Sequence, residues 1–289
     1  MTAKEEIIVS LTTWSARISN IPTVLDTIYA QSLLPDKVVL NLSHREIVPV
    51  EVEQYIDNHG VEVFWTEDTK VYKKIIHTLK RYPNACVINI DDDMLYPPGM
   101  IEDFMNTHNK FPNNPICGNH AFSCGLICHC GEASLTKLEF FGGYLDCIDD
   151  NLRSHCHSSD MVYTYFATKA GHPYVPTRDF YGVEYCRSYK ANNSWSKDNI
   201  RVVGIQATYA YLTNRFGPLP EFFHAYVSNP YEAELATIAS ETLLFARKQE
   251  YVNIIDSQVR NSYSYRIGSW IVSPFRLMRL ICKKMYGKS

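Results

Sequence analysis

Three consecutive carboxylates, Asp91-Asp92-Asp93, directly follow the apolar run that begins at Val87 in the segment VINIDDDMLYPPG. Adjacent carboxylates repel one another, and a divalent cation would relieve that repulsion. Mg²⁺ and Mn²⁺ prefer such oxygen ligands, and Mg²⁺ often shares them with substrate phosphates. A cation held there could neutralise a diphosphate leaving group. The alternative is a solvated acidic turn that precedes the helix after Pro97-Pro98.

A second acidic candidate is Asp160, which directly precedes an apolar helix that begins at Met161 in the segment RSHCHSSDMVYTYFATKAGHP. A carboxylate there could accept a proton as a general base. A plain helix cap is the alternative, because Ser158-Ser159-Asp160 offers three capping side chains. Asp179 and Glu184 are the reserve candidates for the same role.

The middle of the chain also collects thiols and imidazoles, which are zinc ligands. The spacing C-x3-C-x-C lacks a pair of CxxC knuckles, so small core thiols are favoured and structural zinc stays the alternative. The residues concerned are Cys117, His120, Cys124, Cys128, His129, Cys130, Cys147, His155, Cys156 and His157.

Alternating strands and helices are predicted to position these residues. Apolar runs predict strands over residues 7–11, 37–42, 61–65 and 85–90. Between them, helical spacing predicts a helix that begins at Asn20-Ile21-Pro22 with Asn20 as its cap, one over 50–58 closed by Gly60, and one carrying Val71, Ile75, Ile76 and Leu79. This alternation predicts parallel strands, whose carboxyl ends border the ligand crevice. The carboxylate triplet lies at such an end.

The later part of the chain is less periodic. The weak periodicity predicts irregular antiparallel pieces and loops over residues 112–200. Apolar residues at helical spacing predict a helix over residues 231–251. The chain has 289 residues and 46% hydrophobic content, enough for one large domain or one domain with an appendage. Its net charge of -3 does not suggest a nucleic-acid partner. We see no signal peptide and no run of about 18 apolar residues, so we expect cytosolic thiols and no membrane span.

The last segment differs in charge from the rest. Residues 257–289 contain no acidic residue and seven basic ones, so the preceding part carries 21 basic and 31 acidic residues, a charge of -10. The apolar residues there recur at roughly helical spacing, with Trp270 among them and Pro274 as a break. A basic amphipathic helix of this kind predicts attachment to an anionic membrane surface. The alternative is a terminal helix docked on the body.

Two long segments carry a family resemblance. IIVSLTTWSARISNIPTVLDTIYAQSLLPDKVVLNLS and EDTKVYKKIIHTLKRYPNACVINIDDDMLYPPGMIEDF resemble the start of bacterial GT-A glycosyltransferases, more narrowly the family 2-like enzymes of capsule, lipopolysaccharide and exopolysaccharide assembly. The resemblance covers about the first 110 residues and extends loosely to about 215. It rests on an opening strand with Ser/Thr, a helix ending in Gln-Ser, the YKK segment, and a strand followed by DxD.

This resemblance implies an α/β fold, the Rossmann-like GT-A domain, over residues 1–255, followed by the amphipathic tail over 256–289. It implies a metal site with Asp93 as first ligand and Asp91 as second, loaded with Mn²⁺ or Mg²⁺. The donor, a nucleotide-diphosphate sugar, would lie beside Ser10, Leu11, Thr12, Asp68, Lys74, Asp91 and Asp92. Lys74 could instead be a solvated helix lysine. The family often has a base-binding Asp after the second strand, where this chain has Asn41-Leu42-Ser43-His44.

The resemblance also implies a catalytic base, a stereochemical outcome and an acceptor. Asp160 would be the catalytic base that deprotonates an acceptor hydroxyl, and one base with direct displacement inverts the anomeric carbon. Gly142-Gly143 matches a glycine pair of the family, either at a ligand or in a plain turn. The expected acceptor is a glycan on a lipid carrier, and the expected location is the cytoplasmic face of the inner membrane. A sugar nucleotidyltransferase and a non-catalytic sugar-binding scaffold remain the rival interpretations.

Overall fold

The computed structural model describes residues 5–118, 133–156, 158–177, 184–185 and 200–219. The strands there are β1 Ile7–Thr12, β2 Lys37–Ser43, β3 Glu62–Thr66, β4 Cys86–Ile90, β5 Met94–Leu95, β6 Ile116–Cys117, β7 Ala133–Thr136, β8 Val175–Pro176 and β9 Glu184–Tyr185. The helices are α1 Ile21–Tyr29, α2 Val50–His59, α3 Lys73–Arg81, α4 Met100–Lys110, α5 Asp150–His155, α6 Ser159–Lys169 and α7 Ile200–Phe216.

Within the described residues, seven strands form one sheet in the order β3-β2-β1-β4-β7-β6-β8. The four predicted strands, β1 to β4, are all parallel to their neighbours in this group. β7 then runs antiparallel to both β4 and β6, which confirms antiparallel pieces in the middle of the chain. The carboxyl ends of β1 to β4 therefore lie along one edge of the sheet, and the aspartate triplet follows β4 at that edge.

Helices cover both faces of the sheet. Since side chains alternate between the two faces along each strand, neighbouring residues of one strand pack against different helices. Val9 of β1 packs in a cluster with residues of α1, α2 and α4. Its neighbour Ile8 packs on the other face, with residues of α3, α5, α6 and α7. Nearly continuous apolar runs are what parallel strands buried on both faces require.

Two details of the predicted helices are wrong. Val71 is not on the buried face of α3: it lies in a 3-10 turn over Lys70–Tyr72 and is 50% exposed. Asn20 makes no side-chain capping bond to α1, because it ends a 3-10 turn that runs directly into the helix. Pro22 does lie in the first turn of α1, as predicted. Gly60 closes α2 with the predicted left-handed backbone, at φ 64°.

Several expectations concern residues outside the described ranges. These are the 256–289 tail, the 231–251 helix, Asp179, and His120, Cys124, Cys128, His129, Cys130 and His157 of the thiol–imidazole cluster. Of the cluster's described members, Cys117 and Cys156 are buried free thiols, as core residues would be. Among the described helices, none combines the length and the apolar character needed to cross a bilayer.

Candidate active site

The aspartate triplet at the end of β4 faces two cationic side chains. Lys74 places Nζ 2.5 Å from Oδ1 of Asp91. The Nη1 atom of Arg17 lies 3.1 Å from Oδ1 of Asp92 and 2.8 Å from Oδ2 of Asp93. Three carboxylates against these two cations leave a local charge of -1 when all are ionised (-3 + 2).

The three carboxylates differ in what holds them. Asp92 is buried and has both oxygens engaged, since Thr13 Oγ1 donates to Oδ2 at 2.6 Å and Arg17 donates to Oδ1. Asp91 and Asp93 are partly open, with side chains 33% and 17% exposed. Asp92 therefore anchors the loop after β1 to the loop after β4, whereas its two neighbours can reach a ligand.

Burial and like charge make ionisation of Asp92 and Asp93 costly. Burial raises the pKa of Asp93 to about 6, with a further contribution from the Asp91 carboxylate, while Arg17 acts in the opposite direction. Burial also raises the pKa of Asp92, against the hydrogen bond from Thr13. A divalent cation between Asp91 and Asp93 would remove this penalty, since it supplies the charge that the two existing cations leave unbalanced.

The first turn of α3 brings Lys74 to the triplet. Lys73 and Lys74 are adjacent, both buried, and diverge: Lys73 pairs with Asp68 at 2.7 Å, and Lys74 with Asp91. Two ammonium groups at a helix N-terminus oppose the helix dipole, so their carboxylate partners are needed to stabilise them there. The alternative of a solvated Lys74 is therefore wrong.

A buried polar network fixes α3 against the sheet. The Ser10 hydroxyl donates to the Lys74 carbonyl at 2.6 Å and lies 2.6 Å from Oγ1 of Thr78. From β2, Asn41 Nδ2 donates to Ser10 Oγ and to Thr78 Oγ1. Ser10 therefore holds the helix that carries Lys74, and its side chain is enclosed between sheet and helix.

The other predicted donor residues lie on the same edge with different surroundings. Leu11 is fully buried on the opposite face of β1, and Thr12 donates to the Asn41 carbonyl at 2.7 Å. Asp68 follows β3, and the hydrogen bond from Lys73 lowers its pKa. Nucleotide contacts from these residues, and from Ser10, stay predictions.

Asp160 lies in the first turn of α6, where Ser158 is the cap and accepts from the Met161 N–H. The plain-cap alternative for Asp160 is therefore wrong. Tyr163 of the same helix donates to the Tyr72 carbonyl at 3.3 Å, so α6 packs against the turn that leads into Lys73 and Lys74. The pKa of Tyr72 is raised by burial and then by the charges of Cys156 and Asp160. Asp160 thus borders the turn that positions Lys74.

Two further sequence-predicted positions can be placed. Glu184, a reserve candidate, lies in β9 and pairs in register with Leu95 of β5, two residues after Asp93. Gly142 and Gly143 have positive φ and join two 3-10 turns. A Cβ at Gly142 would meet Cβ of Ala170 at 3.1 Å, which favours the turn interpretation.

Sequence reasoning missed four residues that build this site. Arg17 and Thr13 bind the triplet from the loop after β1, and Tyr96 accepts the Asp91 N–H at 2.7 Å. Gln31 joins α1 to the chain after Tyr96, donating to the Pro97 carbonyl at 2.7 Å and accepting from the Ile101 N–H. Arg17 is the only basic residue between β1 and the end of α1, which was an available signal.

Comparison with known proteins identifies the fold. No protein-family model and no curated protein matches the chain. The structure of the mannosyltransferase PcManGT from Pyrobaculum calidifontis, in complex with GDP-Man and Mn²⁺, aligns with a TM-score of 0.59 and 16% identity over 100% of this chain and 89% of that one. This likeness shows that the chain has the predicted α/β GT-A, Rossmann-like fold.

Two other solved structures are more distant. S. aureus TarS 1-349 in complex with UDP aligns with a TM-score of 0.43 and 11% identity, over 60% of this chain and 58% of that one. A 4-diphosphocytidyl-2C-methyl-D-erythritol synthase aligns with a TM-score of 0.41 and 9% identity, over 61% of this chain and 90% of that one. Likenesses at this level carry no conclusion about this chain.

The different surroundings of Asp92 and Asp93 predict different costs of truncation. Asp92→Ala should lower the free energy of unfolding by about 3 kcal/mol, because it leaves Thr13 and Arg17 without their buried acceptor. Asp93→Ala should change it by less than about 1 kcal/mol, because the partly open Asp93 is held by its ion pair with Arg17, and Arg17 keeps Asp92 as its partner. Denaturant unfolding with a chelator present measures both. A larger loss for Asp93→Ala than for Asp92→Ala would contradict this assignment.

Proposed function

We propose that this chain is a metal-dependent glycosyltransferase that moves a sugar from a nucleotide-diphosphate donor to a glycan acceptor. The observation that carries the proposal is the site at the end of β4: Asp91 and Asp93 partly open, Asp92 sequestered, and Lys74 and Arg17 beside them. The fold adds support, because the mannosyltransferase that shares it was solved with GDP-Man and Mn²⁺.

The donor set fits Mn²⁺ or Mg²⁺. Asp93 and Asp91 would hold the ion through carboxylate oxygens, the ligands that these hard cations prefer. Once bound, the cation supplies charge neutralisation to the departing diphosphate. Asp92 has no free oxygen in the described contacts, so the ligands are the first and third carboxylates of the DxD pattern.

The chain's own cations can assist the same leaving group. Lys74 is held beside Asp91 by the Ser10 network, and Arg17 already bridges two carboxylates. A guanidinium offers five donors in one plane, so Arg17 can donate to a phosphate oxygen while it keeps its hydrogen bond to Asp92. These two residues would orient the diphosphate and stabilise the charge that develops on it.

Asp160 is the proposed base. It lies at the open start of α6, and that helix packs against the turn carrying Lys74. A carboxylate there would take the proton from the acceptor hydroxyl as the hydroxyl oxygen attacks the anomeric carbon. With one base and direct displacement, the reaction inverts that carbon.

The wider biological role rests on the sequence. The resemblance to enzymes of capsule and lipopolysaccharide assembly supports a role in bacterial surface polysaccharide synthesis, with a lipid-linked acceptor. The basic segment 256–289 supports peripheral attachment of the 1–255 domain to the cytoplasmic face of the inner membrane.

Donor binding should depend on Mn²⁺ and on the two open carboxylates. A thermal-shift panel of nucleotide sugars should show a rise in Tm for one donor, larger with Mn²⁺ than with a chelator. Asp91→Asn with Asp93→Asn should abolish the Mn²⁺-dependent part and reduce donor turnover by at least about 10²-fold. Asp146→Asn, the same change at an exposed carboxylate elsewhere, should leave both unchanged.

Unimpaired turnover in the Asp91→Asn, Asp93→Asn double variant would overturn the proposed metal site. Formation of a nucleotide sugar from a nucleoside triphosphate and a sugar 1-phosphate, with release of pyrophosphate, would instead establish the nucleotidyltransferase alternative. Donor binding without any release of nucleoside diphosphate would establish the scaffold alternative.

Removal of the base should separate chemistry from binding. Asp160→Asn should reduce release of nucleoside diphosphate from the preferred donor by about 10²-fold, with donor Kd within about threefold of wild type. Asp150→Asn is the matched control, since Asp150 also lies in the first turn of a helix. Wild-type turnover in Asp160→Asn would exclude Asp160 as the base.

Membrane attachment should depend on the charge of the tail. Replacing Arg276, Arg279, Lys283 and Lys284 by Gln in the full chain should remove up to ~4 kcal/mol of binding, about 10³-fold in partitioning to anionic vesicles. Flotation with phosphatidylglycerol vesicles measures this, with pure phosphatidylcholine vesicles and a chain ending at Asp256 for comparison. Equal flotation of all forms would contradict the proposal.

A further inference from the structure

We propose that Glu5, Cys86 and His108 form a second cation site, for Zn²⁺ or a similar thiophilic divalent ion, at the opposite end of β4 from the aspartate triplet. These three side chains place one carboxylate oxygen, one thiol sulfur and one imidazole nitrogen within 4.8 Å of one another. Cys86 begins β4 and Asp91 follows its end. A five-residue strand separates them by about 17 Å, so the two sites are independent.

Two of the three distances among the ligand atoms are close to those around a tetrahedral ion. Oε2 of Glu5 lies 3.4 Å from Sγ of Cys86 and 3.1 Å from Nε2 of His108. With Zn–S near 2.3 Å and Zn–N or Zn–O near 2.1 Å, tetrahedral angles separate such ligands by about 3.4–3.6 Å. All three ligand atoms lie within 4.8 Å of one another, so a cation could bind after side-chain shifts of up to about 1 Å, with water in the fourth position.

The chemistry of the three groups favours zinc over the hard cations of the other site. Thiolate and imidazole are preferred by Zn²⁺, whereas Mg²⁺ and Mn²⁺ prefer oxygen. Burial lowers the pKa of His108, so its ring is neutral near pH 7 and can offer a lone pair. The Nε2 atom of His108 faces the Glu5 carboxylate, which can only accept, so Nε2 carries the ring proton in the described structure. Cation binding at Nε2 would move that proton to the buried Nδ1, which has no hydrogen-bond partner among the described residues.

Lys137 engages the other oxygen of the Glu5 carboxylate. Its Nζ lies 3.0 Å from Oε1 of Glu5 and 3.1 Å from Oε1 of Glu139, so Oε2 of Glu5 is left to Cys86 and His108. Burial and then the Glu5 charge raise the pKa of the Cys86 thiol to about 12. Cation binding must therefore displace the thiol proton to solvent: an S–H bond breaks, an S–Zn bond forms, and one proton is released.

Such a site would fasten three separate parts of the fold. Glu5 precedes β1, Cys86 begins β4, and His108 lies in the last turn of α4. The Cys86 N–H already donates to the Glu6 carbonyl at 2.9 Å, so the cation would strengthen an existing contact at the start of the central strands. Glu5, whose side chain is 36% exposed, provides the route by which the ion enters.

The test is a titration of the metal-free full chain with Zn²⁺ and with Co²⁺. Wild type should bind Zn²⁺ at this site with release of about one proton and show cobalt–thiolate charge-transfer absorption. Cys86→Ala, His108→Gln and Glu5→Gln should each lower the bound zinc by one equivalent or its affinity by at least about 10²-fold. His59→Gln, the same change at an exposed imidazole on α2, should behave as wild type.

Glu5→Gln keeps the test decisive, because it preserves side-chain size at a partly exposed position and does not disturb the core. Unchanged zinc stoichiometry, affinity and cobalt spectrum in Glu5→Gln and Cys86→Ala would overturn the site, as would a wild-type chain that takes up no zinc. The Asp91→Asn, Asp93→Asn variant should keep this zinc, so the outcome does not depend on the glycosyltransferase proposal.

Discussion

The balance of charge at the end of β4 is the constraint on which this structure depends. Asp91, Asp92 and Asp93 are crowded into a partly buried turn, and among the described residues Lys74 and Arg17 are the basic side chains that form ion pairs with them. Desolvation raises the pKa of Asp92 and of Asp93. Removing Arg17 would therefore favour the protonated form of these two carboxyl groups. A divalent cation would complete the balance, and this is why we propose the site for a metal and the diphosphate of a nucleotide-sugar donor.

The rest of the domain can be understood as the support for this turn. The Ser10–Asn41–Thr78 network joins two strands to α3 and fixes the position of the Lys74 backbone in the first turn of that helix. Gln31 fixes α1 to the chain that leaves the site. The hydroxyls of Ser10 and Thr78 and the Nδ2 atom of Asn41 bond one another in this network, so these side chains favour one arrangement of sheet and helix. The result is a rigid edge on which two carboxylates stay accessible.

The sequence was sufficient for the parallel half of the sheet and for the location of the triplet. Apolar runs and helical spacing located β1 to β4 and α1 to α3, because parallel strands and their crossover helices bury long apolar segments. The errors concern local backbone structure that apolar spacing does not reveal. Val71 has an apolar side chain in an exposed turn, and Asn20 ends a 3-10 turn that runs directly into α1. Spacing along the chain could not distinguish these from a buried helix position and a capping side chain.

The central claim is that Asp93 and Asp91 bind a divalent cation next to the donor's diphosphate. Anomalous diffraction from crystals grown with Mn²⁺ and the selected nucleoside diphosphate tests it most directly. We expect a manganese peak bonded to carboxylate oxygens of Asp93 and Asp91 and to the diphosphate, with Arg17 no longer paired with Asp93. A bound diphosphate with no manganese at these carboxylates, and with the Arg17–Asp93 pair intact, would contradict the account.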